Sequence, residues 1–174
     1  METSFPDGLT KKHGNPRGRP ADRLQLLPLV VLVAIGGIGL SGLLGGGAAG
    51  TTETAKGVTQ ISVETPTILR SGEYFERRIE VTADAPIVDL SIAVSEDLLE
   101  GVTVNSTAPE PESQAFEDGS YVFSFGAFDA GQRLVFQSQL QTNPSAIGVT
   151  EGEVIVRDGD TELARLPLRI TVLP

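Results

Sequence analysis

Residues 87–94 read IVDLSIAV, and the alternation within them decides the fold. Val88, Leu90, Ile92 and Val94 stand two apart, the spacing at which side chains share one face of a strand. They read as the inward row of a strand. The same period recurs on both sides. Upstream, Ile61 and Val63 alternate before Pro66 breaks the run. Phe75, Ile79 and Val81 then share a face opposite Tyr74, Glu76, Arg78 and Glu80. Downstream come Val102 and Val104, then Tyr121, Phe123 and Phe125, then Leu134, Phe136, Ser138 and Leu140. Val154 and Val156 are answered by Leu166, Leu168, Ile170 and Val172. Turn residues separate the runs, among them Ser71-Gly72, Asp118-Gly119, Ala130-Gly131, Asn143-Pro144 and Asp158-Gly159.

Seven or eight short strands with no long amphipathic helix predict an all-β fold, an immunoglobulin-like antiparallel β-sandwich over residues 58–174. Roughly 115 residues suffice for one hydrophobic core and not for two. Cysteine and tryptophan are absent, so the Cys…Trp…Cys hallmark of antibody domains is missing and packing alone must hold the sheets together. Leu90, Ile92, Phe123, Phe136, Leu168 and Ile170 are the expected core. Arg77 falls in register with Phe75 and Ile79, on the face that should be buried. An edge strand that lets its guanidinium reach solvent is expected, rather than a buried pairing with an acid.

Before the strands lies Leu24–Ala49, LQLLPLVVLVAIGGIGLSGLLGGGAA, with no charge and, after Gln25, no polar residue but Ser41. About 20 apolar residues cover a hydrocarbon core of about 30 Å, so residues 24–49 read as a single transmembrane helix. Pro28 falls near its first turn, where a missing N–H costs little. Residues 1–23 carry five bases against three acids with several Gly and Pro, and read as a disordered basic tail. The bases put that tail in the cytoplasm and the C-terminal domain outside, at the plasma membrane. The small residues Gly47–Gly50 would also suit a signal peptidase, but the long basic region and an apolar run of about 24 residues favour a retained anchor. Residues 50–57, GTTETAKG, read as a short linker. Gly37, Ser41, Gly45 and Ala49 recur every fourth residue, with Gly42 and Gly46 forming a GxxxG beside them. Small residues on one face let a second backbone approach, so these six are a candidate helix-packing face for another membrane protein or a second copy. General glycine richness explains the pattern equally well.

The chain carries −10 overall, and beyond residue 50 twenty acids face eight bases. That sign repels nucleic acid, and no nucleic-acid partner is expected. The outer region has no His, Cys or Trp, which rules out a Ser-His-Asp triad, a Cys-His pair and a His-based zinc site there. No catalytic residue, metal or cofactor is expected. Asp158-Gly-Asp160-Thr-Glu162 has the alternating acids that open a calcium loop, yet lacks the rest of an EF-hand and reads as a hairpin turn. Glu110 and Glu112 flank Pro111 without the cleft aromatics a glycosidase requires, and read as a solvated loop. Asn105-Ser-Thr107 matches a glycosylation sequon but reads as strand.

The Pro-containing first strand, the Ser-Gly turn before Tyr74–Ala83, the Ile87–Val94 row and the segment Phe125-Gly-Ala-Phe-Asp-Ala-Gly-Gln132 together resemble bacterial cell-surface modules of the CARDB and DUF11 kind. The resemblance covers about residues 60–174. It implies the sandwich fold and a surface location, and carries no active site over. A single copy after an anchor departs from the tandem arrays of those modules and is closer to small anchored accessory proteins of bacterial envelopes. The expected function is therefore binding or scaffolding. The alternatives are a cleaved, secreted adhesin or ligand binder and, from another class, a hydrolase using paired carboxylates. A binding module should expose an apolar or aromatic patch or a free sheet edge.

Overall fold

The computed structural model describes residues 26–41, 51–56 and 59–174. Two compact units divide at residue 40. The first contains α1 (Leu27–Leu40), whose sequence LPLVVLVAIGGIGL is apolar on every side and which has no buried residue. Its 14 residues rise about 21 Å. Among the described residues, no helix is long and apolar enough to cross a membrane. The span expected over 24–49 is thus helical over 27–40, and residues 42–49 lie outside the described residues.

Among its described residues the second unit holds eleven strands: β1 (Thr51–Lys56), β2 (Thr59–Thr65), β3 (Ile68–Arg70), β4 (Tyr74–Ala83), β5 (Ile87–Ser95), β6 (Val102–Ala108), β7 (Ser113–Glu117), β8 (Ser120–Phe128), β9 (Arg133–Thr142), β10 (Gly148–Asp158) and β11 (Thr161–Leu173). One sheet runs β1-β2-β4-β9-β6 and the other β3-β11-β10-β5-β8-β7. The count exceeds the seven or eight expected. The additional strands β1, β3 and β7 all lie at sheet edges. An edge strand need not bury an alternating row, so TTETAK, ILR and SQAFE carry little periodic signal. In particular the expected linker 50–57 pairs with β2 over Thr51–Lys56. The pairing is also not wholly antiparallel. Pro66 ends β2, and the chain crosses to the other sheet, where β3 runs parallel to the end of β11.

The expected core residues Leu90, Ile92, Phe123, Phe136, Leu168 and Ile170 are all buried, in one cluster with Ile61, Ile79 and Leu140. Val88 departs from its row and is 80% exposed, while Ile87 is buried in its place. The cause is an irregularity in the β5–β8 pairing between Ile87 and Leu90, which shifts the face by one residue. The N–H groups of Val88 and Asp89 are satisfied from the other side, both donating to Asp158 Oδ1 at 3.0 and 2.9 Å. Gly159 N–H in turn donates to the Asp89 carbonyl at 2.9 Å.

Arg77 is the second correction. It sits on β4, which is flanked by β2 and β9 and is no edge, and it is only 2% exposed. Its side chain runs inward between the sheets to the 3₁₀ turn Glu96–Leu98, where Nη2 donates to the Leu98 carbonyl at 3.3 Å.

Candidate binding groove

The sandwich opens along the side where β6 ends one sheet and β7 ends the other. β6 pairs only with β9, and its register slips between Val104 and Ser106. β7 and β8 form a hairpin through Asp118-Gly119, both at positive φ (50° and 72°), as a type I′ turn requires. The register sets Gln114 opposite Phe123 and Phe116 opposite Tyr121. Alternation then turns these four toward the β6 side. Between the two edges lies a groove of about 430 Å³, lined by Leu99, Val102, Val104, Ser106, Thr107, Gln114, Tyr121 and Phe123. Val104 (44%) and Tyr121 (40%) stay well exposed there, and Phe116 (53%) is exposed beside Tyr121 on the hairpin. The Phe116 and Tyr121 rings meet edge to face, 5.0 Å between centroids.

Behind this groove is a small chamber of about 20 Å³, and the two share Leu99, Val104, Thr107 and Phe123 as walls. Arg77 lines the chamber with Ile79, Phe136 and Ser138. Its Nε has no hydrogen-bond partner. Burial pulls the guanidinium pKa down to about 10, so the group still carries its charge at neutral pH. It is the one buried charged residue among those described. Arg78, Arg133, Arg165 and Arg169 lie on the surface in ion pairs with Glu76, Glu80, Glu153 and Glu162, and Glu151 respectively. A further cavity of about 380 Å³ lies beside the 143–148 loop, floored by Leu69 and Phe75 and rimmed by Asp97 and Glu100.

The sequence-level candidates are placed elsewhere. Asp158 holds the β5 irregularity and Glu162 pairs with Arg165 Nη2 at 2.6 Å. That hydrogen bond holds the Glu162 carboxyl below the ordinary carboxylate range. These two acids are engaged as a hairpin and its brace rather than converging on one point. Glu110 and Glu112 are exposed, with Glu112 N–H donating to the Ser124 carbonyl at 2.8 Å. Asn105 lies in β6, at the register slip. Gly37 lies in α1 with open space where a Cβ would stand, and Ser41 follows the helix end. Gly42, Gly45, Gly46 and Ala49 lie outside the described residues. The groove residues were the ones sequence reading missed. Tyr121 appears there as the start of an inward row, which is correct in side but not in depth. Phe116 stands in a segment with no alternation, and an isolated aromatic among polar residues was its only signal.

No family model and no curated protein sequence matches the chain. Several solved structures are similar to it. One is a cohesin module from a Clostridium perfringens family 33 glycoside hydrolase, at 13% identity and a TM-score of 0.44, covering 67% of this chain and 98% of that one. Another is the CARDB domain of a Pyrococcus furiosus protein solved with two metal ions, at 8% identity and 0.45, covering 73% and 97%. A third is the human F-spondin reeler domain, at 10% and 0.40, covering 73% and 96%. CARDB domains thus stand among the structures similar to this chain, and the resemblance is one of β-sandwich to β-sandwich at low sequence identity.

Proposed function

We propose that the chain is a membrane-anchored, extracytoplasmic binding and scaffolding module of a bacterial envelope, and that it holds a partner protein in the groove between β6 and the β7–β8 hairpin. The observation that carries this reading is the exposure of Val104 and Tyr121 in one groove between two free sheet edges, with the exposed Phe116 ring packed against Tyr121. Aromatic side chains at a water-exposed groove supply large contact area at small entropic cost, and a free edge offers backbone groups to an added strand. In the full chain, photo-crosslinking from Phe116 in whole cells should capture a partner. Phe116→Ser with Tyr121→Ser should abolish that partner's co-purification without lowering the melting temperature by more than a few degrees. Unchanged co-purification would sink the groove as the contact.

Anchoring is supported by the uncharged run of residues 24–49 and by an α1 that is apolar all round without a buried residue, since such a helix belongs inside protein or lipid. In this reading Gly37, Ser41, Gly42, Gly45, Gly46 and Ala49 pack against a partner helix or a second copy. A periplasmic-active reporter fused after Pro174 should be active, and a mature N-terminus near Gly50 would instead mark a cleaved signal.

A further inference from the structure

We infer that the cavity beside the 143–148 loop is a second contact site, which takes an apolar side chain of a partner protein flanked by a lysine. It is separate from the groove and does not rest on the reading of the groove. The cavity follows from the topology. β10 runs on to Gly148, beyond its last β5 partner at Val154–Val94, and still pairs with β11 there. The 3₁₀ turn covers part of the gap that β5 leaves, with Leu98 set so close to Gly152 that a Cβ there would lie 2.7 Å from its Cγ. What stays open is about 380 Å³, within the range of about 300–1,000 Å³ common for ligand pockets. Its floor is apolar, made by Leu69, Phe75, Leu98, Ile170 and Val172. Ile147, 62% exposed, adds an aliphatic group that solvent reaches directly. The rim is acidic. Asp97 and Glu100 line it, both are exposed, and neither carboxylate has a hydrogen bond or ion pair among the described residues. No base lines the cavity, and twenty acids against eight bases beyond residue 50 add a field of the same sign. Such a site selects a ligand that is apolar at depth and cationic at the mouth. Neighbouring side chains on one backbone bring both, whereas a phosphate-bearing lipid or nucleotide brings charge of the wrong sign. Lysine fits this rim better than arginine. An ammonium is a point charge that two unbraced carboxylates can share, while a guanidinium fork needs a carboxylate held in its plane.

The probe is the capped peptide Ac-Ser-Leu-Lys-Ser-NH2, titrated into the full chain in detergent at constant ionic strength. Binding is read from the backbone amide resonances of Gly101 and Gly148, which line the cavity. Two comparison peptides change one arm each: Ac-Ser-Ser-Lys-Ser-NH2 lacks the anchor, and Ac-Ser-Leu-Glu-Ser-NH2 reverses the charge. The first peptide should shift both resonances saturably, and each comparison peptide should bind about tenfold more weakly. In Asp97→Asn with Glu100→Gln, the preference for lysine over glutamate should fall below about twofold. In Ile147→Ser, the preference for leucine over serine should shrink instead. These positions are exposed, so the melting temperature should stay within a few degrees of the wild type. Lysine and glutamate peptides that bind the wild type alike, or resonances that none of the peptides moves, would overturn the inference. So would n-butylammonium binding as tightly as the lysine peptide, since the cavity would then be a site for free amines. Peptide binding together with unchanged co-purification in the Phe116 and Tyr121 variants supports the cavity and sinks the groove. Capture at Phe116 without peptide binding does the reverse.

Discussion

Phe136→Ala should destabilise the sandwich by about 3–5 kcal/mol, the cost of truncating a phenylalanine in a core that cannot collapse around the loss. Phe136 is 1% exposed and sits on β9, paired with Ile79 of β4. Its ring contacts Phe123 of the opposite sheet at 5.1 Å and Phe125 at 5.2 Å. It is therefore the ring across which the two sheets meet, and deleting it removes two aromatic contacts as well as apolar burial. No disulfide supplements the packing, because the chain has no cysteine. A loss of this size takes a large part of the 5–15 kcal/mol typical of a domain. Urea unfolding followed at constant m-value measures it. Val88→Ala is the internal contrast. At 80% exposure it should change stability by less than about 0.5 kcal/mol. Equal effects of the two substitutions would mean that the β5 and β9 faces are misassigned.

That contrast also marks how far the sequence can be read. Where a strand is central, its buried face imposes alternation on the sequence, and β4, β8, β9 and β11 are legible for that reason. Spacing alone puts Leu134, Phe136, Ser138 and Leu140 on the inward face, and all four are buried. Alternation fails where a backbone irregularity shifts the face, since Val88 continues the row in sequence but not in space. The signal for that shift lay about 70 residues away, in the carboxylate of Asp158, which takes the two N–H groups the irregularity frees. Local periodicity cannot carry such information. Edge strands are illegible for the opposite reason: β3 and β7 bury no row, so nothing selects an alternating pattern. The groove belongs to that illegible class. It is made by edges, and its aromatic residues are defined by what fails to cover them.

Arg77→Met should make the unliganded protein more stable, by about 1–4 kcal/mol, the range seen when buried charges give way to hydrophobes of similar volume. The sequence pattern placed Arg77 on the inward face and the topology then denied it the edge that would let it escape. What remains is a charged group, 2% exposed, with one hydrogen bond to the Leu98 carbonyl and no acid beside it. Methionine keeps the unbranched apolar stem, fills the space beside Ile79 and Phe136, and leaves only the Leu98 carbonyl to find another donor. The pH dependence separates this account from ordinary repacking. Burial brings the folded-state pKa down to about 10, below its value in the unfolded chain. Above pH 10 the unfolded state therefore binds more protons than the folded one, and the wild type gains stability as pH rises. Below pH 10 the full cost of the buried charge is present and constant. The advantage of Arg77→Met should thus be flat from pH 7 to 9 and shrink as pH climbs past 10, by up to about 1.4 kcal/mol per unit. A difference between the two proteins that stays constant to pH 11.5, or a variant less stable than the wild type at pH 7, would show that the guanidinium is already satisfied where it lies.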